Sequence, residues 1–327
     1  MNIAVIGAGN IGCRHLQALA KLKGDYIIFT IDPSLDALKS AFNMYNEVKT
    51  DNSPDLYRFE NIIELPQELF VVIVATNSKQ RYSVTELIIL KKIKFIIFEK
   101  VLFQRTQDYL KIEKYLLKNK INAFVNCWPR YTKYFQKIKQ EIAIEDIVKF
   151  EVIGTDWSIG SNMIHMLDYF SFLIDSTNLN FTEITFSKIF TNKRTSNGLE
   201  RKGFYDFIGS VTGSIGGITF SLLSLEEPDT SLKIKIKTIN ELITIDLETK
   251  SVARIIKDSP KEPNIMGIRI PYQSERTHKI IKNLINESKC DLTPFSDSKE
   301  LHLKILESFF QVFKDTELIY KDRCLIT

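Results

Sequence analysis

The chain has 327 residues, of which 44% are apolar and 26% charged, with a formal net charge of +4. That length suits two domains better than one α/β core, and charges spread without a sustained basic tract argue against nucleic acid as a partner. No apolar run approaches the roughly 20 residues of a membrane span, and the first residues read as a core strand instead of a secretory leader; the expectation is a cytoplasmic protein with no membrane partner. Cys13, Cys127, Cys290 and Cys324 lie far apart, as do His15, His165, His278 and His302, so no metal site is expected.

In chain order, Ile3 to Ile6 reads as a buried strand running into Gly7-Ala8-Gly9-Asn10-Ile11-Gly12, followed by a helix whose Cys13, Leu16 and Ala20 recur at helical spacing. Gly7 serves the turn, Gly9 allows a pyrophosphate close to the backbone, and Gly12 allows the helix to pack closely. A second strand, Tyr26 to Ile31, ends at Asp32, an acid about 20 residues after the glycines that can accept hydrogen bonds from ribose hydroxyls. Its charge would repel a 2′-phosphate and no arginine follows it immediately, which favours NAD over NADP. A helix from Ser34 to Phe42 leads to a short edge strand expected near Val48. The unbroken apolar run Leu69 to Ala75 reads as a strand buried on both faces that ends at Thr76-Asn77-Ser78. A helix from Lys79 to Lys91, a strand Phe95 to Phe98 ending in Glu99-Lys100, a helix Thr106 to Lys118 and a strand Asn122 to Cys127 complete a doubly wound parallel sheet.

The second half changes to long alternating segments: Ile147 to Ile153, Glu183 to Phe190, Phe204 to Val211, Gly217 to Leu225, Leu232 to Thr238, Leu242 to Leu247 and Val252 to Ile256. These predict a mostly antiparallel sheet with one face under helices at Asn162 to Leu173, Ser274 to Glu287 and Asp297 to Phe313, and the other open to a partner. The fold class is therefore α/β: a Rossmann domain over residues 1–127, then an α+β domain over 128–327 for substrate and self-association.

Ligands of open α/β sheets lie beyond the carboxyl ends of the strands, so Ala75, Thr76, Asn77, Glu99 and Lys100 share a crevice with the glycine turn. Hydride chemistry on a carbinol carbon needs a group to handle the hydroxyl proton. Lys100 stands where it could orient that hydroxyl, although a solvated lysine is the plainer reading. Ser161, His165 and Asp168 fall at i, i+4 and i+7 of one helix and could form a proton-handling face, or His165 could be a core histidine. Arg130, with Tyr131, could line the substrate side or form an ion pair. Trp157 could stack on a sugar or pack between domains, and Asn162 precedes the histidine by one turn.

The glycine motif, Ala75-Thr76-Asn77-Ser78, Phe98-Glu99-Lys100, Asn126-Cys127-Trp128-Pro129-Arg130 and the Gly160 to Asp168 helix occur in the order of the glucose-fructose oxidoreductase and inositol dehydrogenase superfamily, Gfo/Idh/MocA, which the chain resembles over most of its length. The resemblance implies a two-domain NAD(P)-dependent oxidoreductase acting on a sugar, sugar nucleotide or cyclitol, with the residues matching Lys100 and His165 serving proton transfer, and a homodimer or homotetramer formed through the C-terminal sheet. Ser161 or Asp168 would support the imidazole. Val101 stands where the family commonly has proline, Ser161 where it often has an acid, Met163 in place of a frequent glycine, and Asn77 and Arg81 in place of proline and histidine. Ser161-Asn162 and the Leu292-Thr293-Pro294 stretch before a helix containing His302 are similar to members from bacterial surface-sugar pathways. A catalytically weak NAD-binding sensor of the same fold is the alternative.

Overall fold

In the computed structural model, residues 1–192, 203–260 and 262–327 are described in full, with the backbone alone at 195–196 and 199–200. The first half alternates β1 (Asn2–Ile6), α1 (Asn10–Leu19), β2 (Ile27–Ile31), α2 (Leu35–Asn46), β3 (Asp55–Phe59), β4 (Glu68–Val74), α3 (Ser78–Ile88), β5 (Lys92–Phe98), α4 (Thr106–Lys118) and β6 (Asn122–Val125). These strands pair in parallel in the order β6-β5-β4-β1-β2-β3, so the connection reverses direction beside β1 and opens a crevice at the carboxyl ends. β4 and β5 carry the apolar runs because helices cover both their faces. The edge strand is Asp55–Phe59, not a segment near Val48: α2 continues to Asn46 and Val48 falls in the turn after it. An edge strand with Asp55, Tyr57 and Arg58 turned to solvent shows little apolar alternation.

Two short helices, α5 (Trp128–Tyr131) and α6 (Lys133–Glu141), lead into β7 (Ile147–Thr155), α7 (Ile159–Ile174) and β8 (Leu179–Thr191). After them come β9 (Tyr205–Ile215), β10 (Ile218–Leu225), β11 (Lys233–Thr238), β12 (Glu241–Asp246), β13 (Ser251–Ile256) and β14 (Asn264–Gly267). Strands β7 to β14 form one sheet in the order β14-β13-β12-β11-β7-β10-β9-β8, antiparallel except where β10 runs parallel to β7. Helix α7 lies against its inner face, with Phe150 of β7 and Phe170 of α7 stacked at 4.7 Å. All of α7 except Asn162 and Phe172 is buried, the polar Ser161, His165 and Asp168 included.

The chain then returns to the first sheet through α8 (Thr277–Glu287), β15 (Thr293–Pro294) and α9 (Phe295–Val312). Thr293 and Pro294 add an antiparallel strand beside β6, and Ile280, Ile281 and Leu284 of α8 join the cluster under α1 and α2. Sheet one thus draws on both ends of the sequence. No helix among the described residues is long and apolar enough to cross a membrane.

Candidate active site

Gly7 leaves β1 with φ at +100°, a conformation that a side chain disfavours. A Cβ on Gly12 would lie 1.9 Å from the Gly7 carbonyl oxygen, so the first turn of α1 rests directly on the glycine turn and presents its amides outward. The Asp32 carboxylate accepts hydrogen bonds from the Ala8 amide at 2.8 Å and the Ser34 amide at 2.9 Å. Each oxygen has a further lone pair for a ribose hydroxyl.

Gly7, Asp32 and Thr76 border a cleft of about 610 Å³ whose walls include Ile62, Ile63 and Leu87. Ile63 is 86% exposed and Leu87 52%, apolar surface that a flat aromatic base would cover. The Thr76 hydroxyl is buried and has no partner among the described residues. A turn closed to any side chain, an acid at ribose height and an apolar rim all fit a dinucleotide. Asn10 opens α1, and Asn77 caps α3 by accepting from the Gln80 amide at 3.1 Å.

Further along the strand ends, a cavity of about 250 Å³ is lined by Ile11, Ala75, Thr76, Asn77, Glu99, Lys100, Asn162 and His165, together with Asn126 and Arg276. Lys100, from the first half of the chain, therefore meets Asn162 and His165 of α7 in the second. The Lys100 ammonium donates to the Ser161 carbonyl and the Asn162 side-chain oxygen, each at 3.0 Å. The Asn162 amide donates to the Trp157 carbonyl at 2.7 Å, which fixes the acceptor that Lys100 uses. The Lys100–Val101 peptide is cis. His165 is 8% exposed and its ring lies 6.3 Å from that of Trp128.

Glu99 is buried beneath this cavity and accepts from His15 at 2.9 Å and Asn126 at 2.5 Å. Burial pushes its carboxyl upward, but the bonds from His15 and Asn126 outweigh that and hold it below the usual carboxylate value. His15 in turn meets Thr277 at 2.8 Å, and Asn126 donates to Gln273 at 2.8 Å. A polar web thus links α1, β5, β6 and the segment before α8, and fixes the backbone from which Lys100 projects.

The expected relay along α7 is corrected. Ser161 and Asp168 are seven residues apart, roughly 10 Å along a helix, so each meets a different neighbour. The Ser161 hydroxyl donates to Asp206 at 2.6 Å. Asp206, fully buried on β9, also accepts from the Gly160 amide at 2.7 Å and so caps the start of α7. Asp168 pairs with Arg130 at 3.3 Å and accepts from Thr293 at 2.8 Å. Burial lifts its carboxyl to about 6 against the pull of Arg130. Arg130 is thereby in an ion pair outside the cavity lining, and Trp157 is buried with its indole donating to the Leu223 carbonyl at 2.9 Å; both take the packing alternative. His302 accepts from the Leu102 amide at 3.3 Å and is a buried, structural imidazole whose pKa burial pushes down to about 3.

Sequence reasoning missed Asp206, Gln273 and Arg276, and it noted Arg81 only as a departure from the family pattern. Arg81 is buried and donates to the carbonyls of Thr76, Val101 and Leu102, tying two strand-end loops together. A lone acid within the apolar Phe204 to Ile208 segment was the available signal for Asp206. Nothing local distinguishes Arg276 from a surface arginine at a helix start.

Residues 1–126 match the oxidoreductase family GFO_IDH_MocA, NAD-binding Rossmann fold. The match covers 126 of the 327 residues, so this stretch is similar to that family's NAD-binding domain. Within residues 1–126 this agrees with the resemblance read from the glycine, Ala75 to Ser78 and Phe98 to Lys100 motifs. No curated protein matches the sequence. Among solved structures, the UDP-N-acetylglucosamine 3-dehydrogenase GnnA from Acidithiobacillus ferrooxidans aligns with a TM-score of 0.70 at 13% identity, covering 97% of this chain and 98% of that one. An oxidoreductase from Agrobacterium radiobacter in complex with NAD+, L-tartaric acid and magnesium aligns at 0.69 and 15% identity, over 96% of each chain. A super-repressor mutant of Gal80p from Saccharomyces cerevisiae aligns at 0.71 and 14% identity, over 95% of each. At such identities the likeness is one of fold, and it extends over both halves.

Proposed function

We propose that the protein is an NAD-dependent oxidoreductase that transfers hydride between nicotinamide and a hydroxyl or keto carbon of a sugar, sugar nucleotide or cyclitol. The observation that carries this reading is the meeting of Lys100 and His165 in one cavity beside Thr76 and Glu99, at the carboxyl ends of the strands where the glycine turn also lies. NAD, when bound, supplies the hydride acceptor or donor. His165 takes the hydroxyl proton as hydride leaves and returns it in the reverse direction. Lys100, steered by Ser161 and Asn162, orients and polarises the reacting oxygen. Asp168 acts at a distance, by holding Arg130 and the end of β15 against α7. Asp32 favours NAD because its charge opposes a 2′-phosphate.

The test is turnover on a panel of sugars, sugar nucleotides and cyclitols by purified protein with confirmed NADH binding. His165→Ala and Lys100→Met should each lower kcat by about 10²–10⁴-fold with NADH affinity near that of the parent. NADH binding without turnover on any member of the panel would replace this reading with that of a nucleotide sensor, the role that Ser161 in place of an acid also suits.

A further inference from the structure

Arg276 lines the same cavity as Lys100 and His165, yet it lies more than 100 residues further along the chain, at the entry to α8. It is 7% exposed. One terminal nitrogen donates to the Gln273 side chain at 2.5 Å, while Nε and the other terminal nitrogen are buried without a hydrogen-bond partner among the described residues. No carboxylate of the described residues stands within ion-pair distance of it. The carboxylate whose charge acts on it, Glu99, is engaged by His15 and Asn126.

A buried guanidinium with unmet donors is costly. The cost is offset when a ligand brings an acceptor of opposite charge, and guanidinium suits carboxylate and phosphate. The other charged side chains on the cavity wall are Arg81, Lys100 and Glu99, so three cationic side chains including Arg276 stand against one carboxylate side chain, with Thr327 also on the wall. Burial lowers the arginine's pKa from its ordinary value, but guanidinium stays charged at neutral pH. Because the pyrophosphate position is served by the amides at the start of α1, this excess of positive charge faces the substrate.

We propose that Arg276 receives an anionic group of the substrate, a carboxylate or phosphate carried on the sugar close to the reacting carbon. The substrate class becomes acidic sugars in place of neutral ones. This rests on the oxidoreductase reading for its chemistry but not for its binding step, so the two can fail separately.

Calorimetric titration of the NADH complex with paired ligands tests it: D-glucuronate against D-glucose, D-galacturonate against D-galactose, UDP-glucuronate against UDP-glucose, and D-glucose 6-phosphate. At least one acidic member should bind about tenfold or more tightly than the partner that lacks its sugar carboxylate or phosphate. Which acid binds distinguishes carboxylate from phosphate. Arg276→Met should remove that preference and Arg276→Lys should restore part of it, with NADH affinity little changed. Equal affinity within every pair, or no binding of any member with a sugar carboxylate or phosphate, overturns the proposal on the unaltered protein alone, whatever the folding of the variants. Loss of NADH binding in Arg276→Met with the acid preference retained also overturns it, since the arginine would then serve the cofactor. An acid preference without turnover of any ligand would leave this proposal standing and remove the oxidoreductase reading.

Discussion

The two ends of the strand-end crevice are built differently. At the nucleotide end the parts are mostly backbone: the Gly7 turn, the Ala8 amide on Asp32, and the first turn of α1 resting on Gly7. At the other end they are polar and charged side chains, Glu99, Lys100, His165 and Arg276, drawn from three separated stretches of sequence. A site made from one contiguous turn is written locally, whereas a site made from side chains depends on the whole topology to bring them together. The two ends should therefore fail in different ways.

The largest effect is expected at the backbone end. Gly12→Val places a Cβ only 1.9 Å from the Gly7 carbonyl oxygen, so α1 must move from the turn and the amide cradle with it. NADH binding, followed by fluorescence titration, should disappear while circular dichroism still reports a folded chain. Binding retained within a few-fold of the parent would show that the cradle does not depend on this contact. On the side-chain end, Asp206→Ala removes the acceptor of the Gly160 amide and the Ser161 hydroxyl, both buried. It should cost about 3 kcal/mol in denaturant unfolding and lower kcat by tilting the helix that carries His165. Unchanged stability would mean that solvent or neighbours replace the cap.

The contrast also explains what the sequence made legible. The glycine turn, Asp32 and the strand-end pairs Ala75-Thr76 and Glu99-Lys100 lie where local pattern put them, and α4 has the bounds its apolar spacing predicts. The antiparallel character of the second sheet follows from alternation, although β14, with every residue exposed, carried no such pattern. Helix α6 also escaped notice. Helical spacing put Ser161, His165 and Asp168 in register but could not say what stands opposite each turn. Those neighbours, Asp206 on β9 and Thr293 on β15, come from strands 45 and 125 residues away. Arg276 escaped for the same reason: its burial is a property of the returning chain, and no single segment encodes it.

A smaller effect separates the buried acid of the histidine helix from acids at the surface. Burial raises Asp168 to about 6, above its unfolded value of about 3.9. Between these values the folded chain holds a proton that the unfolded chain has released. The contribution of Asp168 to stability is therefore fully present below about pH 4 and falls as pH rises towards about 6, by roughly 1–3 kcal/mol. Asp168→Asn cannot ionise, so the difference in unfolding free energy between parent and variant should change by that amount across the window. A difference independent of pH from 4 to 6 would place the carboxyl's true titration outside it.

The smallest expected effect returns to the nucleotide end. Asp32→Asn keeps the size of the side chain and one acceptor oxygen, so it can retain a bond from Ala8 or Ser34, but it removes the negative charge. If that charge sets cofactor choice, it does so by repelling a 2′-phosphate as much as by holding the ribose, since discrimination is a difference of two affinities. The ratio of NADPH to NADH dissociation constants should then narrow by roughly tenfold, about 1.4 kcal/mol, chiefly because NADPH binds better. A ratio that narrows because NADH alone binds worse would assign Asp32 to holding the turn, through its bonds to Ala8 and Ser34, and would leave cofactor preference to the apolar rim around Ile63 and Leu87.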